Sequence, residues 1–120
     1  MTAPRTVTVP TLDQGDVTFA EPSWCAGHST RPEYRCDIGH VGAAHLLTYS
    51  GTELGRAALA QNPFAESSDR SVRVVVSLGV DGLGLTPSEL DDLAAALVDY
   101  AGTLRHLARL LGTLQGGEGR

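Results

Sequence analysis

Lysine is absent from this chain of 120 residues, and all nine of its basic side chains are arginine. Together with the abundance of Ala, Gly and Leu, that absence reads as the codon bias of a GC-rich bacterial genome rather than as chemistry. Positive charge is scarce as well: nine Arg face fourteen acidic residues, for a net charge of −5. A duplex nucleic acid repels such a chain unless arginines gather on one face, and they do not gather in sequence. Aromatic residues make up only 5%, so the expected core is aliphatic, built from Val, Leu and Ala. No apolar run approaches membrane-spanning length. Met1 to Leu12 holds one Arg and no apolar stretch of the secretory kind, so the expected compartment is the cytosol. Thiols stay reduced there, which weighs against a Cys25–Cys36 disulfide and in favour of a metal. Repeats and low-complexity regions are missing too. One domain over residues 1–114 is expected, with a Gly-rich, disordered tail at 115–120.

Against these absences stands one concentration. Cys25, His28, Cys36 and His40 follow the spacing C-x2-H-x7-C-x3-H. Thiolate and imidazole are the donors zinc prefers, and four of them this close in sequence can close around one Zn²⁺. Gly27 gives the C-x2-H pair the turn it needs, and Trp24 stands ready to shield the site. His45 is a spare ligand or an outer-shell group. Four protein ligands make a closed, structural site. A catalytic zinc would instead keep a position for water and a carboxylate base, for which Glu33 and Asp37 are the candidates. The tip between the ligand pairs carries Arg31, Tyr34 and Arg35, but Glu33 and Asp37 cancel that charge and the tip reads as a solvated loop. No other catalytic pattern is present. Serines lack a paired His, and Gly82 to Gly84 lacks the lysine and spacing of a phosphate loop.

Local patterning gives an α+β expectation. Arg5 to Leu12 alternates Thr with Val and reads as a strand, with Pro10 at an edge or an end. Asp13 to Asp16 is a turn, and Val17 to Phe19 a short second segment. Glu21 to His40 is a loop organised by the cluster. Ala43 to Tyr49 is a strand, while Thr52 to Gln61 is ambiguous between strand and short helix. Ser71 to Val80 is the clearest strand, with Val72, Val74, Val76, Leu78 and Val80 on one face. Thr86-Pro87-Ser88-Glu89 opens a helix: Thr86 caps, Pro87 suits the first position and Glu89 reaches back to the cap. The helix is expected to end near Gly112.

Leu90, Leu93, Leu97, Tyr100, Leu104, Leu107, Leu111 and Leu114 step by three and four along it, with small uncharged neighbours. Its first half is expected to cover the valine face. Pro87 to Leu111 spans roughly 37 Å, more than a crossing helix needs to cover a strand of roughly 33 Å. Leu104, Leu107, Leu111 and Leu114 are therefore expected to project and meet a partner, most simply a second copy of the chain.

Pro22-Ser23-Trp24-Cys25 with His28, and Leu85-Thr86-Pro87-Ser88-Glu89-Leu90 with its Ala/Leu helix, resemble a family of small uncharacterised actinobacterial proteins, a domain of unknown function. The resemblance covers about two thirds of the chain. It implies a strand-rich body, a Trp-Cys…His…His cluster and a closing helix, with Cys25, His28 and His40 as the matched positions. The family pattern carries a further Cys before the Pro. Here that neighbourhood holds Glu21, and Cys36 is the candidate for the missing ligand. The family has no activity to carry over.

The combined expectation is a small antiparallel sheet of three to four strands, covered by one long C-terminal helix, with a zinc-stapled loop. It would serve as a non-enzymatic cytosolic binding or regulatory module, acting as a homodimer and open to an unidentified protein partner. The alternatives are a nucleic-acid-associated transcriptional regulator and a small zinc-dependent hydrolase.

Overall fold

A computed structural model describes residues 5–66, 69–79 and 81–118. The architecture is α+β, with two small antiparallel sheets and one long C-terminal helix. The first sheet is a hairpin. β1 (Arg5–Pro10) pairs antiparallel with β2 (Asp16–Glu21), in a register that sets Arg5 opposite Glu21 and Pro10 opposite Asp16. Pro10 closes its strand, as a residue without an N–H should. The turn between them is held by Thr11, whose hydroxyl donates to Gly15 O at 2.6 Å while its Oγ1 accepts from Gln14 N at 2.8 Å.

The second sheet has four strands centred on β5 (Thr52–Gln61). β5 pairs antiparallel with β3 (His40–Val41) and with β4 (His45–Tyr49), and it also pairs with β6 (Arg73–Leu78). The ambiguous segment Thr52 to Gln61 is thus a ten-residue strand. Its pattern explains the outcome: Leu54, Ala57 and Leu59 are buried, and three pairing strands supply the hydrogen bonds a helix would have made within itself.

By contact the chain divides into two compact units, formed by the described residues of Met1–Ala43 with Leu59–Arg73, and of Ala44–Ala58 with Val74–Arg120. The first contains the β1–β2 hairpin, β3 and the metal-donor residues. The second contains β4, most of β5 and β6, and the helix.

In the second unit, α1 (Pro87–Glu118) opens with the capping box read from sequence. Thr86 N donates to Glu89 Oε1 at 2.9 Å, and Glu89 N donates to Thr86 Oγ1 at 3.3 Å. The helix does not end near Gly112 but runs on to Glu118. No proline follows Gly112, and the chain there keeps helical backbone rather than the left-handed conformation that stops helices, so one glycine's cost of about 1 kcal/mol is absorbed. Residues 119–120 of the expected tail lie outside the described residues.

The core of this unit joins Leu47 of β4 and Leu54 and Ala57 of β5 to Tyr100 and Leu107 of α1. Two expectations are corrected here. The helix packs mainly on β4 and β5; of the valine face of β6 Val74 joins that core, while Val76 and Leu78 are exposed. Alternation told which residues share a face but not which strand lies beneath the helix. Leu107, expected to project, is only 1% exposed and belongs to the chain's own core. Leu104 packs beside it, and Leu111 and Leu114 are half-buried. Among the described residues, the large apolar side chains that α1 leaves exposed are instead Leu90, Leu97, Val98 and Leu110. Val80, the last residue of the expected β6, lies outside the described residues.

Two tyrosines bind the helix to β4. Tyr100 donates its hydroxyl to His45 O at 2.8 Å, and Tyr49 donates to Glu89 O at 3.1 Å. Each satisfies a hydroxyl that packing would otherwise strand.

Candidate metal centre

Four donors converge in the first unit: the Glu21 carboxylate, the Cys25 thiol, and the His28 and His40 imidazoles, with their ligand atoms all within 4.8 Å of one another. Local structure places each. Glu21 is the last residue of β2. Cys25 follows a turn closed by its own N–H to Pro22 O at 3.0 Å, and it forms an antiparallel bridge with Gly42. That bridge brings it beside His40, which opens β3. Gly27 takes φ +113°, a left-handed value that a side chain would resist, and so returns His28 to the group.

The surroundings are aromatic. The Phe19 ring lies 5.6 Å from that of His28, 5.5 Å from that of His40 and 5.3 Å from that of Phe64. Trp24 meets His40 edge-on at 6.1 Å, which gives it the shielding role read from sequence. Phe64 is capped on its other contact by the Arg35 guanidinium, 4.1 Å from the ring centre. His40 is 2% exposed, and the Glu21 side chain 7%.

The geometry of the donors asks for a cation. Cys25 Sγ stands 3.6 Å from His28 Nε2. A tetrahedral zinc with Zn–S of about 2.3 Å and Zn–N of about 2.0–2.1 Å would hold the two atoms about 3.6 Å apart. Glu21 Oε1 approaches His28 Nε2 to 3.0 Å without hydrogen-bond geometry, and it is buried with no hydrogen-bond partner. His40 Nδ1 is likewise buried and partnerless. A buried polar atom left unsatisfied costs about 1–3 kcal/mol, and two in one cluster point to a group that would satisfy both. Thiolate and carboxylate together carry two negative charges, which neutralise a divalent ion in a buried site.

Protonation follows from the same environment. The neighbouring Cys25 thiol holds the Glu21 carboxyl below its ordinary value; Arg5 and the two imidazoles add to this and burial opposes it. Burial pushes the Cys25 thiol up, and the neighbouring Glu21 adds to that. Burial, then the neighbouring His28, pushes His40 down. A metal would displace the thiol proton, so binding releases protons and weakens as pH falls.

Of the four ligands expected from sequence, the structure brings together Cys25, His28 and His40. Cys36 is not in the group. It lies on a single turn of 3-10 helix (Arg35–Asp37), where its thiol contacts the Asp37 carboxylate at 3.8 Å. Both cysteines are free, so no disulfide joins them. Glu33 and Asp37 stand outside the group, and His45 lies on β4 in the second unit. Glu21 is the donor that spacing of Cys and His missed. Its signal was its place, four residues before Cys25 at the end of β2.

Fold and centre together define a small α+β domain with a buried Glu-Cys-His-His cluster. The chain belongs to the family described as a domain of unknown function, DUF6907, whose model matches residues 6–113. Comparison with curated proteins and with solved structures finds no match. Among the described residues, no helix is long and apolar enough to cross a membrane.

Proposed function

We propose that this domain is a non-enzymatic binding or regulatory module of the cytosol, held in shape by a structural zinc and acting as a homodimer. The observation that carries the metal is the convergence of four buried donors, two of them with partnerless buried atoms. One thiolate, two imidazoles and one carboxylate form a set that zinc accepts, and four protein ligands fill a tetrahedral shell. The side chains of Glu21 and His28 are over nine-tenths buried, as are Cys25 and His40, which leaves little access for a substrate. The dimer draws on apolar side chains left in solvent on α1: Leu90 is 58% and Leu97 48% exposed, one heptad apart.

One observation favours a second reading, a small zinc-dependent hydrolase. The fourth donor is a carboxylate, and a carboxylate that left the metal would open a position for water and could then act as its base. The burial of Glu21 weighs against it. The two readings separate on the coordination of zinc in the purified protein. Four protein ligands support the structural site, whereas three ligands and a bound water support the hydrolase.

A further inference from the structure

We propose that Arg5 is the positioning residue of the metal centre, holding the outer oxygen of Glu21 so that the carboxylate meets a divalent ion through one oxygen only. The inference rests on the metal reading above and adds to it a role for a residue that is not itself a donor. The β1–β2 register sets Arg5 directly opposite Glu21. Arg5 Nε lies 3.2 Å from Glu21 Oε2, and Arg5 Nη2 donates to Pro22 O and to Cys25 O, each at 3.3 Å. One planar group thus ties down the carboxylate of one donor residue, the backbone of a second, and the turn between them. Glu21 Oε2 faces the guanidinium, while Oε1 faces His28 Nε2 at 3.0 Å. The Arg5 side chain stays 54% exposed. Its charge therefore remains hydrated while its fork reaches the buried carboxylate.

The chemistry needs this particular side chain. A carboxylate with both oxygens free can bind a metal through both and raise the coordination number to five. Occupying Oε2 keeps the shell at four. Lysine can supply a charge to Oε2, but as a single point it cannot also span Pro22 O and Cys25 O. Partners that orient ligands in this way are typically worth about 10–100-fold in metal affinity.

The test is Co²⁺ titration of the full chain, stripped of metal beforehand and followed by visible absorption. The wild type is expected to show the intense bands of four-coordinate cobalt. Arg5→Ala is expected to bind about 10–100-fold more weakly and to show the weaker bands of a five-coordinate ion. Arg5→Lys should recover part of the affinity and part of the band intensity. An Arg5→Ala protein that matches the wild type in affinity and spectrum overturns the proposal. If that variant does not fold, Arg5→Lys decides: wild-type affinity together with a wild-type spectrum overturns it, and a partial loss of both supports it. A wild type that takes up no Co²⁺ overturns the metal reading itself and this role with it.

Discussion

Cys25 and Cys36 differ at the level of single side chains in a way that spacing alone does not convey. Cys25 is buried among donors, and Cys36 sits on a short turn beside Asp37. Cys25→Ser should therefore abolish tight metal binding, while Cys36→Ser should leave it unchanged. When metal stands a thousandfold above its Kd, its binding contributes about 4 kcal/mol to stability. At about 4–8 °C per kcal/mol, the Cys25 variant should melt more than about 10 °C below the metal-loaded wild type. Thermal melts with and without chelator, on both variants, check this. Equal losses in the two would restore Cys36 as a ligand. Three of the four donors were legible in the sequence because Cys and His near one another are rare and chemically marked. Glu21 was not, because a glutamate ending a strand looks like any solvated carboxylate until the fold buries it.

At the scale of the element, the best-read feature is the helix start and the worst-read is the helix's contact face. The capping box was legible because it depends on four consecutive residues. Thr86→Ala should cost about 1 kcal/mol, measured by chemical denaturation. The hydrogen bond from Thr86 N holds the Glu89 carboxyl below its ordinary 4.5. A depressed carboxyl stabilises the fold above its unfolded value and loses that contribution as pH falls through the folded value. Protection of the first-turn amides, taken relative to their intrinsic exchange rates, should accordingly fall below about pH 4.5. Protection that is flat across that range would contradict the cap. The contact face was not legible, because the heptad of Leu90 to Leu114 names one stripe and cannot say which part of it lies on β4 and β5. Leu107→Asp should cost several kcal/mol of stability, since it buries a charge where a leucine fills the core. A variant that melts like the wild type would return Leu107 to the surface. Gly55 belongs to the same scale. A Cβ there would meet Ser77 O at 2.9 Å, a backbone atom that cannot swing aside. Gly55→Ala should cost about 1–3 kcal/mol through the β5–β6 pairing.

For the molecule as a whole, composition told most about what is absent and least about assembly. Few aromatics and an acidic balance are properties of the entire chain, and they suit a small aliphatic fold. The strand-rich body and closing helix were legible because β-branched alternation and a long leucine period are strong, local signals. The division of contacts into two units was not, because it depends on how β5 is shared along its length. If the chain dimerises through the exposed stripe of α1, sedimentation should give twice the chain's 12.6 kDa. Leu97→Asp, at a position 48% exposed, should then give monomer without loss of melting temperature. A wild type that sediments as a monomer removes the dimer and leaves the metal centre untouched.

The central claim is that buried carboxylate, thiolate and imidazole groups from β2, β3 and the loop between them hold one divalent ion. Elemental analysis of the protein purified without added metal or chelator tests it most directly. One zinc per chain is the result expected of the wild type, falling to background in Cys25→Ser and in Glu21→Ala. A metal-free wild type that gains no stability when zinc is supplied would contradict it.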